Sequence, residues 1–183
     1  MAFSQKSIGD RAIRVATMAG LDPHTSPVVD NGVVVEDLFY DALRRAVAES
    51  AKNPSDAQAM KRDHTVTITN GVGTMPDTVL DDFLSSSSIY STTDSNIAEN
   101  STYCPRYVDY LRPKHSQLSF YAVQGSSLLF TEAGGNSGEY DGDLHLVCVS
   151  VPAIPATIAD PITISTELAE LTVTILASML KGG

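Results

Sequence analysis

The sequence predicts an α+β fold in which a small antiparallel β-sheet with a long loop is inserted between N-terminal helices and a C-terminal helix. Three observations carry this. Apolar residues recur at helical spacing over residues 4–19 and 34–52, and again over residues 165–181. Between them the period switches to strict alternation, beginning at Thr65-Val66-Thr67-Ile68-Thr69. Turn dipeptides then punctuate residues 70–142, where strands would have to reverse.

At the N-terminus, residues 4–19 read as a helix with Ile8, Ala12, Val15, Ala16 and Ala19 on one face and Gly20 as its stop. Two prolines and Asp30-Asn31-Gly32 make residues 20–32 a loop. Residues 34–52 carry the strongest helical pattern: Val35, Leu38, Phe39, Ala42, Leu43, Ala46 and Val47 form a wide stripe, and Glu36 and Asp37 lie in the first turn, where the helix dipole favours acids. Asn53-Pro54 ends it, and residues 55–62 read as a short continuation.

In the middle, Asn70-Gly71-Val72-Gly73 follows the alternating strand as a turn. Pro76 then opens a predicted short helix with Val79, Leu80, Phe83 and Leu84 on one face. Residues 85–102 hold seven serines and few apolar side chains, so a long mobile loop or extended arm is expected there. Residues 118–123 and 126–131 predict a hairpin around Gln124-Gly125, and residues 134–138 a further turn. Residues 143–151 are apolar on both faces, the signature of a central strand. Pro152, Pro155 and Pro161 mark a stiff linker, and residues 165–181 form the last helix. The expected organisation is a single domain over residues 1–183. Its helical portion covers residues 1–62, its β-rich portion residues 63–152, and its linker and last helix residues 153–183.

Composition narrows the functional classes. With no tryptophan and 7% aromatics, the core must be built mainly from Val, Leu, Ile and Ala. The net charge is −10, and residues 63–160 carry twelve acidic against three basic side chains, whereas residues 1–62 balance at eight each. Such a chain lacks the clustered Lys and Arg that phosphate backbones require. Met1 to Val15 holds no apolar run of signal-peptide length, and no stretch is long enough to span a bilayer, so folding in a cytosol is expected. Cys104 and Cys148 are then expected as free thiols, a disulfide being the alternative. The sequon Asn100-Ser101-Thr102 is read as chance.

Catalytic readings are weighed against plain structural ones. Gly135-Asn136-Ser137-Gly138 has the form of a nucleophile turn, with His64 as base and Asp109 as the group orienting it. It is equally the composition of a hairpin turn, and the helical first third leaves no room for two β-barrels. Asp141-Gly142-Asp143-Leu144-His145 has metal-loop flavour, but a calcium loop needs an acid at its twelfth position, which here is Pro152. Gly71-Val72-Gly73 lacks the third glycine and the Lys-Ser or Lys-Thr of phosphate loops. His24, His64 and His115 have no metal spacing. Asp77, Asp81 and Asp82 read as a solvated face. The expectation is therefore no enzyme, no cofactor and no metal.

The order of elements resembles the head-to-tail adaptor (ring or tail-tubular) proteins of tailed phages. A helical pair leads into a strand and then residues 70–80, Asn-Gly-Val-Gly-Thr-Met-Pro-Asp-Thr-Val-Leu. Tyr107, Tyr110 and Tyr121 precede a glycine-turn hairpin, followed by Tyr140-Asp141-Gly142, a strand into Val151-Pro152, and Ala159-Asp160-Pro161 before the final helix. The likeness covers most of the chain as an order of elements. It implies a virion structural protein, assembled in the host cytoplasm as a homo-oligomeric ring of about a dozen copies between portal and tail proteins. DNA would pass through the ring without specific binding. The departures are the Ser-rich stretch and the two cysteines, and capsid-decorating or tail-base positions are alternatives. Readings from other classes are a serine hydrolase using Ser137 and His64, and a small monomeric binding module.

Within this reading the C-terminal helix is the expected joint between subunits or with a partner ring. Leu168, Leu171, Ile175, Leu176 and Met179 share a stripe expected to pack on the parent domain, while Val173 and Leu180 point elsewhere. A helix apolar over most of its circumference must be covered on more than one side.

Overall fold

The computed structural model describes residues 2–20, 22, 28–30, 32–80, 88–91, 120–131 and 140–181. Among the described residues, four helices and several small antiparallel sheets give the α+β fold that the sequence predicts. The chain divides into two compact units, Met1–Ala57 with Val151–Gly183, and Gln58–Ser150. The last helix of the N-terminal portion ends at Ala59, short of residue 62, because residues 61–64 belong to a strand.

The first unit joins the two ends of the chain. Strand β1 (Phe3–Ser4) pairs antiparallel with β10 (Pro161–Ile162) in the register Phe3↔Ile162, and the Lys6 amide donates to the Ile158 carbonyl at 2.9 Å. The proline-rich stretch is therefore laced to the N-terminus by backbone bonds. Helix α1 (Gln5–Met18) starts in a capping box: the Ser7 amide donates to Ser4 Oγ at 3.1 Å, and the Ser4 amide to Ser7 Oγ at 2.9 Å. Strand β2 (Val29–Asp30), inside the stretch expected to be loop, forms a hairpin with β3 (Val33–Val34), which ends at a residue expected to open the next helix and packs on α1.

Helix α2 (Glu36–Ser50) buries Phe39, Ala42, Leu43, Ala46 and Val47 of the predicted stripe, while Leu38 and the N-cap residue Val35 are half-buried. Helix α4 (Thr166–Lys181) packs against both α1 and α2. It starts with Ser165 Oγ accepting from the Leu168 amide at 3.1 Å. Two neighbours give α4 a wide buried arc: Leu168, Ala169, Thr172, Val173, Leu176, Ala177 and Leu180. This corrects the expectation for Val173 and Leu180, which are 4% and 1% exposed within their own unit. Leu171, Ile175 and Met179 are only half-buried. Val15 also departs from its expected place: it is 45% exposed, off the face formed by Ile8, Ala12 and Ala16.

Helix α3 (Pro54–Ala59) leads into the second unit. Strand β4 (Lys61–Ile68) pairs over its full length with β9 (Gly142–Val149), from Lys61↔Val149 to Ile68↔Gly142. On its other side β9 pairs with β6 (Ser88–Ser91), so β9 is the central strand, as its two apolar faces predict. Residues 88–91, expected within a long mobile loop, are thus a strand. The remainder of 85–102 lies outside the described residues.

A second three-stranded sheet has the order β5 (Val72–Thr74), β8 (Ser127–Thr131), β7 (Phe120–Gln124), with the hairpin turn after Gln124 where the sequence predicts it. Val66, Ile68, Leu144, Leu146 and Cys148 from the first sheet meet Tyr121, Leu128 and Phe130 from the second, with Met75 and Val79 in the same core. The short helix expected after Pro76 does not form over residues 76–80. Val79 instead bridges to Ser150, and the Leu80 amide donates to the Val149 carbonyl at 3.1 Å. Phe83 and Leu84 lie outside the described residues.

Candidate functional site

His64 lies on the core-facing side of β4, opposite Leu146. Its Nε2 is 3.0 Å from Ser150 Oγ, and Ser150 is 1% exposed. Ser137 and Asp109, the other members of the hydrolase reading, lie outside the described residues. Among those described, the serine brought to His64 is Ser150, held by its amide on the Met60 carbonyl at 3.4 Å and by the bridge to Val79. A hydroxyl so covered is closed to a substrate, and the pair acts to satisfy two polar groups at the sheet's end.

Burial is the largest influence on His64 and lowers its pKa. Asp63 opposes this and Arg62 adds to it. The imidazole is therefore held neutral in the fold, while the unfolded chain titrates near the ordinary value of about 6.5. Below that value the unfolded state binds the extra proton first, so the stabilisation is full above it and is lost as pH falls through it. The melting temperature is expected to drop between pH 7.5 and 5.5, and to drop less in His64→Gln, which can still bond Ser150. Equal drops in the two proteins would assign the effect elsewhere.

The other face of the sheet carries the residues with metal-loop flavour. His145 Nδ1 lies 3.1 Å from both carboxylate oxygens of Asp63. Thr67 Oγ1 donates to Asp143 Oδ1 at 2.7 Å, and the Asn70 amide donates to Asp141 Oδ1 at 2.6 Å. Each acid is engaged across strands or at a turn, and no group of three His, Cys, Asp or Glu placed to hold a metal occurs among the described residues. The Asn70-Gly71 turn has φ of 50° and 74°, the left-handed pair of a type I′ hairpin turn. Gly71 is fastened on both sides: its amide donates to the Tyr140 carbonyl and its carbonyl accepts from the Phe130 amide, each at 2.8 Å. This run, which belongs to the resemblance, fastens the turn between β4 and β5 to β8 and to Tyr140.

Cys148 is a free, buried thiol whose pKa is pushed up to about 12, chiefly by burial, with nearby Asp63 adding to it and Lys61 opposing. That makes it an unreactive core residue. Cys104, His24, His115, Asp81, Asp82, residues 134–138 and the sequon at 100–102 lie outside the described residues.

The remaining candidate is a surface. On α4, Glu167, Leu171, Ile175 and Met179 recur every four residues and so form one row, acidic and exposed at its start and apolar and half-buried beyond. On α1, Val15 and Met18 are 45% and 88% exposed. Sequence reasoning missed Met18 because it falls off the Ile8–Ala12–Ala16 stripe, which is itself the signal of its exposure. Arg11 of α1 donates to Glu170 of α4 at 2.6 Å, which marks the flank of α4 that α1 covers. Among the described residues no helix is long and apolar enough to cross a membrane. Compared with protein-family models and with curated protein sequences, the chain matches neither.

Proposed function

We propose that the chain is a structural subunit of a tailed-phage virion, a head-to-tail connector component that forms a homo-oligomeric ring and contacts portal and tail proteins. The observation that carries this reading is the surface of the helical unit: α4 has two helices of its own chain against it and still presents the row Leu171, Ile175 and Met179. Apolar rows left partly open on a helix that is already packed are suited to burial against another subunit. The order of elements supports the same reading, with helices, the Asn70-Gly71 turn, the central strand β9 and the closing helix in the sequence that the adaptor resemblance requires. The acidity of residues 63–160 suits a wall past which DNA slides without sticking.

The deciding experiment is the mass of the purified chain in solution over a wide concentration range. Concentration-dependent growth to a closed oligomer is expected. A chain that stays monomeric at the highest concentrations, or one in which Ser137 is labelled by a fluorophosphonate, would overturn the proposal.

A further inference from the structure

Asparagine is a chemically labile residue, and it is most labile before glycine. With no side chain on the second residue, the glycine nitrogen reaches the asparagine side-chain carbonyl with little hindrance. In the Asn70-Gly71 turn the fold treats the two reacting groups differently. Asn70 is exposed, so its side-chain amide meets water. Gly71 is buried, and its backbone amide donates to the Tyr140 carbonyl at 2.8 Å. The amide one residue earlier, that of Asn70, donates to Asp141 Oδ1 at 2.6 Å. Tyr140 and Asp141, just before β9, thus hold two successive amides of the turn. The turn conformation opposes the reaction as well. Asn70 has φ of 50°, and the first central residue of a type I′ turn holds ψ of about 30°. Closing a succinimide ring needs that bond swung well away.

We propose that Asn70 is a latent modification site, closed in the folded β unit and converted only when that unit opens. The Gly71 nitrogen loses its proton and bonds to Asn70 Cγ, and the side-chain nitrogen leaves as ammonia. Water then opens the succinimide. Breaking the new bond gives aspartate. Breaking the original peptide bond gives isoaspartate, whose backbone runs through Cγ and is one atom longer. The aspartate form keeps the two-residue turn, which suits Asp-Gly as well as Asn-Gly. The isoaspartate form does not. The added atom draws Gly71 away from Tyr140 and Phe130, each bonded to it at 2.8 Å. It also shifts β5, where Gly73 must meet β4 at close range. An opening of the β unit is thereby recorded in the chain, and part of the record does not reverse.

The whole natural chain tests this, held at mildly alkaline pH across a series of guanidinium concentrations. Peptide mass follows conversion of Asn70, and chromatography separates the two products. Without denaturant, conversion is expected to be at least about a hundredfold slower than in the unfolded chain, since it waits on opening of the unit. Across the series it should rise together with labelling of Cys148, the buried thiol of the same core, read on parallel samples. Gly73→Ala should move both curves to lower denaturant. After the denaturant is removed, chains with aspartate at this position are expected to protect Cys148 again, and those with isoaspartate to be labelled at least about tenfold faster. Conversion at the unfolded rate without denaturant, or conversion that rises while Cys148 is still protected, overturns the proposal, because the turn then opens alone. Isoaspartate chains that protect Cys148 as the natural chain does overturn the lasting record.

Discussion

Leu180→Asp is expected to unfold the helical unit, and Val173→Asp to do nearly the same. Read from the sequence, both residues point away from the parent fold, and both changes would leave it intact. In the structure Leu180 is 1% exposed and Val173 4%, within the arc of α4 that α1 and α2 cover. Removing the bulk of a buried leucine alone costs about 2–5 kcal/mol. The new carboxylate adds the penalty of a charge without a partner, which is relieved only by taking up a proton or by opening the helix packing. Against a total stability of about 5–15 kcal/mol, the sum is enough to abolish cooperative melting of this unit. Thr174→Asp, on the exposed face of the same helix, provides the control and should melt close to the natural chain. Circular dichroism at the helix band reads both. A folded Leu180→Asp with a natural melting temperature would mean that α4 is not packed on its own chain.

The contrast between these residues shows what the sequence can and cannot say. α4 is legible as a helix because apolar side chains recur around it, but the same richness hides which arc is inward. The answer depends on having two neighbours, and the small Ala169, Thr172 and Ala177 that face them are all buried. α2 is legible in both extent and face because its stripe is narrower and its other face is charged. β9 is legible as central from its apolar alternation on both sides. The β2–β3 hairpin is not, since strands of two residues are too short to show a period. Lys61 to His64 carry no apolar alternation, so the start of β4 does not read as strand, yet pairing with β9 extends through it. Val79 and Leu80 have helical spacing with the residues after them, but their backbone contacts go to Ser150 and Val149, and those tertiary contacts outweigh local propensity. Of the hydrolase candidates only His64 is placed, and its partner Ser150 lies 86 residues away, where no local motif could have indicated it.

Gly73→Ala is the second large effect expected, and it strikes the β unit. Gly73 is buried in β5 between the two sheets. A Cβ there would lie 2.5 Å from Ile68 Cδ1, 2.8 Å from Val66 Cγ1 and 2.9 Å from the Thr67 carbonyl oxygen. The first clash can be relieved, since a terminal methyl can rotate away. The second is harder, because a β-branched valine has few rotamers to choose from. The third cannot be relieved locally: the Thr67 carbonyl is backbone of β4, and β4 is laddered to β9 over eight residues. Nor can β5 back off, because the Asn70-Gly71 turn ties it to β4 through the Thr69–Val72 bridge. Overpacking of this kind costs about 1–3 kcal/mol, and Gly73→Val, with two more methyl groups, should exceed that range. Cys148 is a reporter within the same core. Its buried thiol reacts only when the β unit opens, and a loss of about one to two kcal/mol raises the open fraction by roughly five- to thirtyfold. The rate at which a thiol reagent labels Cys148, followed by peptide mass, should rise by that factor in Gly73→Ala, and the denaturation midpoint should fall with it. An unchanged labelling rate and midpoint would mean that the sheets separate easily at β5, and that Gly73 is not what lets them meet.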